Sequence, residues 1–596
     1  MSALSHLVML WMAAAPAAQN TGASVDGVVV EMGTKAPLRN ATLELRSLGE
    51  GSIRYPAVTT ENGRFVFRNV RPGQYSLTAA KAGYIRTQYG QRGPNGPAAT
   101  LSIQAAQRVT GIGLSMMRSG AISGRVYDRS GAPAINAQLH ALKISYQNGW
   151  RLAVPVVSQM TNDLGEYRLF GLPPGLYYVS AQAEPLMHIR SPAYASVAPV
   201  ATGAVVVGAS GGMFSGVPDP ALQRQGPRPD WSPVYYGGTV DEFAATPLLV
   251  RPGNDLTGID IVVDRRATVN ITGTAAGLTG QPGGAAAVVA TPAADPLFHA
   301  IPEMTVLGGI MSMAPAMPSR TAPTGEFRIQ PMPPGSYILT AITGPGDQRL
   351  TGQAIIDAQG TEPVNVRIAM SAAWNVPGRV VMENGPAAGD PGLEGLSVRA
   401  ISAISPVADA LAAPLTSDGA FTLRNIARGN YVVAVAPLLE LMTPENPAKV
   451  PPAWRNAYIK SIRLGETDIL IDGLKLERAP DRPLEIVIGR KGGVLTGAVA
   501  DESGVLAANV RVALLPDEAR RKRFDLYRST VTDANGRYRF ERIPPGAYKV
   551  FAWEDVEVNA WHDATFMRMY ENIGRPVSLQ DGSEATANLT AVSPLR

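Results

Sequence analysis

Hydrophobic and polar residues alternate in short runs along most of the chain, and glycine and proline separate the runs. In residues 537–541, for example, Tyr538 and Phe540 alternate with arginine and glutamate. A period of two places apolar side chains on one face of a strand and polar side chains on the other. Short runs of this kind between turn residues predict β-strands with one buried face, and favour antiparallel sandwiches over βαβ units.

One segment of this type occurs five times and aligns without a gap. In each copy a glycine precedes an aromatic residue by two positions, and a second glycine ten residues later precedes a tyrosine by two. Glycine supplies the positive φ of a tight turn, and the Pro-Pro-Gly found in three copies predicts a second turn. We therefore expect each copy to be a β-hairpin. The copies begin at Thr60, Asn162, Ala322, Thr416 and Asp533.

An apolar strand containing a glycine precedes each copy. With these opening strands the repeats predict an all-β fold, a tandem array of about five antiparallel β-sandwich modules. The glycines are Gly27, Gly124, Gly273, Gly378 and Gly497. The expected boundaries are 19–118 for module 1, 119–268 for module 2, 269–371 for module 3, which is degenerate, 372–488 for module 4 and 489–596 for module 5.

Module 2 is longer than module 1 between its repeat and a shared tyrosine-glycine element, which contains Tyr89 in module 1 and Tyr236 in module 2. The extra residues, 186–230, are rich in alanine, glycine, proline and serine and show little periodicity. Such a composition predicts a flexible insertion outside the sandwich core.

Composition agrees with several turn-rich cores. The 596 residues include 61 glycines and 49 prolines, 45% are hydrophobic and 17% are charged. A net charge of +4 on a chain of this length indicates no nucleic-acid partner. The one dense basic run, residues 520–523, is interpreted as a solvated loop.

The first residues predict export. Residues 7–15 are apolar but too short to cross a membrane, and small residues follow at Ala15 and Ala17. We expect a signal peptide over 1–18, a mature chain without a transmembrane segment, and a secreted or periplasmic location. The absence of cysteine is compatible with passage through an oxidising compartment.

The repeated pattern of G-x-V, T-D-x-x-G-x-F/Y-x-F and P-P-G-x-Y-x-V resembles the carboxypeptidase regulatory-like domain. The resemblance covers most of the mature chain and implies a transthyretin-like, Ig-like or carbohydrate-binding-like β-sandwich of the kind that bacteria string together in secreted proteins. In this family the domain is usually an accessory unit. Because fold does not determine function, the resemblance alone names no ligand.

The sequence predicts no catalytic residues, no metal site and no cofactor. None of the five histidines has a glutamate three residues later, so the zinc pair of catalytic carboxypeptidases is missing. Residues 208–212 match the G-x-S-x-G string, but glycine and proline interrupt the helix that a nucleophile elbow needs. We therefore expect a protein that is not an enzyme.

Binding is the remaining function, and aromatic side chains outside the alternating core positions are the candidate ligand contacts. Exposed aromatic faces commonly hold sugars, so the pattern favours a polysaccharide or cell-surface glycan. Core packing is the alternative at each position. A scaffold or adhesin that recruits protein partners through exposed strand edges is the alternative function. The candidates are Trp231, Tyr235 and Tyr236 in module 2, and Trp553, Trp561 and Tyr570 in module 5.

Overall fold

The structure is a computed structural model that describes much of the chain beyond residue 21. The described residues are 22–49, 51, 53–147, 150–182, 233–239, 244–263, 269–277, 286–292, 319–322, 324–332, 335–343, 350–358, 362–385, 392–393, 396–402, 411–436, 454 and 456–592. The predicted signal peptide (1–18) and the predicted insertion (186–230) lie outside them. Across these ranges no helix has the length and apolar character needed to span a membrane.

Almost all regular structure is β-strand. Module 1 contains β1 (Ala23–Glu31), β2 (Thr42–Ser47), β3 (Arg54–Val58), β4 (Arg64–Val70), β5 (Gly73–Ala80), β6 (Thr87–Gln88), β7 (Leu101–Ile103) and β8 (Arg108–Met116). Module 2 contains β9 (Gly120–Tyr127), β10 (Gln138–Gln147), β11 (Trp150–Met160), β12 (Glu166–Leu172), β13 (Gly175–Gln182), β14 (Val234–Tyr235), β15 (Leu248–Val250), β16 (Asp255–Leu256) and β17 (Ile261–Val262). Module 3 contains β18 (Val269–Ala276), β19 (Ala287–Pro292), β20 (Ser319–Arg320), β21 (Glu326–Met332), β22 (Gly335–Ile342), β23 (Leu350–Ala358), β24 (Val364–Ala369) and β25 (Ser371–Ala372).

The last two modules follow the same plan. Module 4 contains β26 (Trp374–Met382), β27 (Ser397–Ser402), β28 (Leu411–Pro414), β29 (Ala420–Ile426), β30 (Gly429–Ala436), β31 (Tyr458–Leu464), β32 (Thr467–Asp468), β33 (Leu474–Leu476) and β34 (Leu484–Gly489). Module 5 contains β35 (Gly493–Ala500), β36 (Arg511–Pro516), β37 (Arg528–Val531), β38 (Arg537–Ile543), β39 (Gly546–Trp553), β40 (Arg575–Leu579), β41 (Glu584–Thr586) and β42 (Leu589–Thr590). It also holds 3-10 helices at Glu518–Arg520, Phe524–Leu526 and Ala560–His562, and one short helix, α1 (Ala564–Met567).

The described strands form ten sheets, which pair into five sandwiches with separate apolar cores. One sheet of each module is centred on the opening strand, with the orders β4-β1-β8, β12-β9-β16, β21-β18-β24, β29-β26-β34-β31-β32 and β38-β35-β41. The facing sheets have the orders β3-β2-β5-β6, β11-β10-β13-β14, β20-β19-β22-β23-β25, β28-β27-β30-β33 and β37-β36-β39-β40. The predicted array of five β-sandwich modules is confirmed.

The sheets are not purely antiparallel. In module 1 the opening strand β1 pairs antiparallel with β4 and parallel with β8, and the same mixture recurs in the other four modules. A parallel neighbour needs a long crossover connection, which the intervening facing sheet supplies. The repeat motif alone could not indicate this, because the parallel strand lies outside it.

The predicted hairpin within each repeat is wrong. The two strands of the motif do not pair with each other: β4 pairs with β1 in one sheet, whereas β5 pairs with β2 in the other. The turn between them therefore crosses the sandwich. The motif tyrosine stabilises the turn between the two strands by a hydrogen bond. The Tyr75 hydroxyl donates to the Arg71 carbonyl at 2.8 Å, and the Tyr548 hydroxyl donates to the Pro544 carbonyl at 2.7 Å.

The opening glycine and the first aromatic residue of the motif lie directly opposite each other in every module. In module 5 the pair is Gly497 and Tyr538. A Cβ on Gly497 would lie 1.8 Å from the Ala587 carbonyl oxygen and 2.7 Å from the Tyr538 ring, so only glycine fits. The aromatic ring covers the space that glycine leaves in the core. The other pairs are Gly27 with Phe65, Gly124 with Tyr167, Gly273 with Phe327 and Gly378 with Phe421.

The chain divides into two compact units. The first comprises residues 1–94 and 98–119 and contains module 1 except for residues 95–97. The second comprises residues 95–97 and 120–596 and contains modules 2 to 5.

Candidate functional site

Three of the six predicted binding residues lie in module 5, beside the end of β39. Residues 550–553 of this strand are apolar at every position, so both faces of the strand carry apolar side chains. Phe551 and Trp553 face away from the sandwich core, so another segment of the chain must bury them. Residues 554–574 pack over them, and we call this segment the module 5 cap.

The cap is short and locally stabilised. Its 3-10 helix, Ala560–His562, leads into α1, and the Asp563 carboxylate accepts hydrogen bonds from the backbone N–H groups of Thr565 (2.6 Å) and Phe566 (3.0 Å). A carboxylate at this position satisfies donors that the first helical turn leaves unpaired. The cap thereby holds Trp561 and Met567 over the sheet, where both are buried.

The aromatic rings stack into one cluster. The Trp553 ring lies parallel to Phe551 at 5.4 Å between centroids and to Trp561 at 6.2 Å. Tyr570 meets Trp553 edge to face at 5.7 Å. Such offset and T-shaped arrangements are the favoured geometries of buried aromatic pairs.

The prediction of an exposed aromatic surface in module 5 is wrong. Trp553 is 1% exposed and Trp561 is 2% exposed, and Tyr570 is half-buried against Trp553. The rings form a second core between the sheet and the cap, because the outer face of β39 is itself apolar. A sugar ring therefore has no flat indole face to stack on here.

The three candidate residues of module 2 differ in their burial and in whether the structure describes them. Trp231 lies outside the described residues. Tyr235 is in β14 and is buried in a small cluster with Leu142, Tyr178 and Ala245 on the outer face of its sheet, while Tyr236 is half-buried. Packing thus accounts for Tyr235, and the ligand-binding role of Trp231 and Tyr236 stays a prediction.

The basic run is not a solvated loop, and this prediction is wrong. Each of its four side chains has an acidic partner in the structure. Arg521 Nη2 donates to both carboxylate oxygens of Glu571 at 2.8 and 2.7 Å, and Lys549 donates to the same carboxylate at 2.6 Å. Although burial raises it, the pKa of Glu571 is lowered overall by these hydrogen bonds. The pairs are Arg520 with Asp517, Arg521 with Glu571, Lys522 with Asp472 and Arg523 with Asp525.

Two of these cations also join module 5 to module 4. The side chain of Arg523 is 8% exposed; its Nε donates to Asp525 at 2.9 Å and its Nη2 to the Ile459 carbonyl of β31 at 3.4 Å. Lys522 pairs with Asp472 at 3.3 Å. On the same junction the Tyr458 hydroxyl donates to the Asp581 carboxylate. We call this set the module 4–5 junction.

The cap contains one histidine whose titration affects stability. The His562 ring stacks on Tyr527 at 4.2 Å between centroids, and its Nδ1 is buried. Burial disfavours the charged imidazolium and lowers the pKa of His562 from 6.5 to about 3. The folded module therefore keeps His562 neutral at pH values where the unfolded chain protonates it.

We expect module 5 to lose stability as the pH falls from 6.5 towards 3. The His562 contribution is fully present above pH 6.5 and declines below it by up to about 1.4 kcal/mol per pH unit. Thermal unfolding at pH 7, 5.5 and 4.5 should show a smaller decrease in Tm for His562→Phe, which keeps an aromatic ring over Tyr527. Parallel decreases in Tm for the two proteins would contradict the prediction.

Within the described ranges no cluster of three or more His, Cys, Asp or Glu side chains is arranged to hold a metal ion. In the cap, Glu571 is instead paired with Arg521 and Lys549, and Asp563 accepts hydrogen bonds from backbone N–H groups of α1. The arrangement is that of a packed core and a side-chain junction.

Two modules match a known family. The model of the carboxypeptidase regulatory-like domain matches residues 24–108 and 494–590, which lie in modules 1 and 5. No curated protein matches the chain.

Several solved structures match parts of the chain at low identity. The TIE protein of Bacillus anthracis is 12% identical with a TM-score of 0.15; the match covers 59% of this chain and 51%, about half, of that one. A minor pilin of Streptococcus agalactiae is 12% identical with a TM-score of 0.21, covering 41% of this chain and 97% of the pilin. A streptococcal ancillary pilin is 13% identical with a TM-score of 0.20, covering 58% and 99%.

These likenesses are too weak to support any argument about function. The family match is specific, and it agrees with the repeated glycine, aromatic and Pro-Pro-Gly positions of the motif. Modules 1 and 5 therefore each match the carboxypeptidase regulatory-like domain, and the chain is a multi-module β-sandwich protein.

Proposed function

We propose that the chain is a non-catalytic, adhesin-type scaffold outside the cell that holds its sandwich modules in contact and binds protein partners. The observation that carries this proposal is the module 4–5 junction. A guanidinium that is 8% exposed and bonded to both modules is costly to bury unless its partners stay in place. A junction of this kind suits a protein whose role is to hold modules in position.

The described surface favours a protein partner. Leu176 and Leu249 lie directly opposite each other on β13 and β15 and are 53% and 48% exposed. Neighbouring exposed leucines suit the apolar centre of a protein interface. A sugar would instead require aromatic faces and polar groups.

Proline limits strand addition at three edges of the described sheets. The edge strands β3, β11 and β28 contain Pro56, Pro155 and Pro414 respectively. Proline has no N–H to donate to an added strand, and its presence protects edges from pairing. The exposed leucine pair of β13 and β15 is instead the basis for proposing an interface on a sheet face of module 2.

Binding of the full chain to envelope preparations of the producing cell tests the proposal. Leu249→Asp is expected to weaken binding by about tenfold, the equivalent of about 1.4 kcal/mol, because it places a charge in an apolar contact. Protease treatment of the envelopes should abolish binding, whereas periodate, which oxidises sugar diols, should leave it intact.

Val66→Asp in module 1 is the matched control, because Val66 is also an exposed strand residue, at 46%. It should bind as the unmodified chain does. Binding that periodate abolishes and that Leu249→Asp leaves unchanged would overturn the protein-partner proposal and favour the predicted carbohydrate ligand.

A further inference from the structure

Modules 2 and 5 contact each other although two modules separate them in the chain. Lys143 Nζ of β10 lies 3.1 Å from Glu557 Oε2 in the module 5 cap, 414 residues later. Cα atoms of β10 also lie within 8 Å of Cα atoms in the 3-10 helix Ala560–His562. Both residues belong to the second compact unit. The contact therefore joins modules that are not neighbours in sequence.

Asn95, which belongs to the same unit, completes the contact. Lys143 Nζ donates to Asn95 Oδ1 at 3.1 Å, and the Asn95 backbone N–H donates to Asp555 Oδ1 at 2.7 Å. One ammonium thus faces two carboxylates of the cap, directly at Glu557 and through Asn95 at Asp555. Burial raises the pKa of Asp555, although the Asn95 hydrogen bond and the Lys143 charge act in the opposite direction.

The contact is polar and partly open to water. The Lys143 side chain is 19% exposed and that of Glu557 is 30% exposed. The cores of modules 2 and 5 are separate clusters with no shared residues. Burial stabilises a half-buried ion pair less than it stabilises an apolar interface, and dissolved salt screens the attraction between the two charges. Its strength should therefore depend on ionic conditions.

We propose that Lys143, Glu557, Asp555 and Asn95 form an ionic clasp that holds module 5 against module 2 and can open without unfolding either module. In the closed state the clasp holds the half-buried Asp555 carboxylate against the Asn95 backbone N–H. In the open state that carboxylate becomes accessible. The clasp concerns contacts within the chain and does not depend on which partner binds.

Carbodiimide cross-linking of the full chain tests the closed state, because it joins an amine directly to a carboxylate with no spacer. Mass spectrometry should find Lys143 linked to Glu557 in low salt, and the yield should fall at least about fivefold in about 1 M salt, where the Debye length is about 3 Å. Lys460 and Glu383, an ion pair within module 4, provide an internal control whose link should persist.

Charge reversal tests the open state. Lys143→Glu is expected to increase hydrogen exchange in peptides covering residues 554–562 while exchange in β36 and β39 stays unchanged. The double variant Lys143→Glu with Glu557→Lys should restore the original exchange. The clasp is overturned if the Lys460–Glu383 link forms without the Lys143–Glu557 link, if salt leaves the yield unchanged, or if the double variant exchanges like the single one.

Discussion

Replacing Trp553 with alanine is expected to lower the free energy of unfolding of module 5 by about 3–5 kcal/mol. The indole is 1% exposed and stacks between Phe551 and Trp561, with Tyr570 at its edge. Alanine would leave a cavity that the paired strands β39 and β36 cannot close. Urea unfolding of the full chain, with hydrogen exchange of β36 and β39 peptides to report on module 5, measures the loss.

Two further variants isolate the cause. Met569→Ala changes a cap residue that is 61% exposed and should alter stability by no more than about 0.5 kcal/mol. Trp553→Phe should cost less than Trp553→Ala, because it keeps a ring and removes an indole Nε1 that has no hydrogen-bond partner among the described residues. Equal losses for Trp553→Ala and Met569→Ala would show that the rings are not a core.

Local patterns in the sequence correctly predict which side chains are buried. Phe65 and Phe67 alternate with outward residues, and both are buried at 4% and 2% exposure. A period of two depends only on the geometry of one strand, so no knowledge of neighbouring strands is needed. The same reasoning holds for Tyr538 and Phe540 in module 5.

The same patterns do not predict which strands pair with each other. A glycine turn between two alternating runs fits a hairpin and a crossing between sheets equally well. What decides the outcome is a distant partner: Phe65 lies opposite Gly27, far earlier in the chain, and this pairing places β4 in the opening sheet. The repeated opening glycine was the available signal, because a glycine inside a strand indicates close approach of another group.

At the candidate site, too, the local sequence pattern indicates burial, whereas contacts with residues far away in the chain could not be predicted. The apolar residues 550–553 indicate a strand buried on both faces, which the alternation rule alone overlooks. The partners of the basic run could not be predicted, because Lys522 pairs with Asp472 and Arg521 with Glu571, each 50 residues away. Four adjacent cations indicate solvation only when no acidic residue reaches them.

The second large expected loss of stability comes from removing Arg523 from the module 4–5 junction. Arg523→Ala is expected to lower the free energy of unfolding of modules 4 and 5 by about 2–4 kcal/mol, somewhat below the ~3–5 kcal/mol of a fully buried pair, because 24% of the Asp525 side chain is exposed. The variant leaves the Asp525 carboxylate without this cation and removes the bond to the Ile459 carbonyl. Calorimetry of the full chain should then show separate transitions for the two modules in place of one shared transition.

Lys522→Ala is the matched control for the junction. Lys522 also pairs across it, but its side chain is 41% exposed and that of Asp472 is 64% exposed, so the loss should stay below about 1 kcal/mol. The loss of unfolding free energy for Arg523→Lys should lie between those for Arg523→Ala and Lys522→Ala. Lysine keeps the charge but cannot reach both Asp525 and the Ile459 carbonyl with one planar group. If Arg523→Ala leaves the two modules unfolding together at unchanged urea concentration, the guanidinium does not couple them, and the scaffold proposal loses the observation on which it depends.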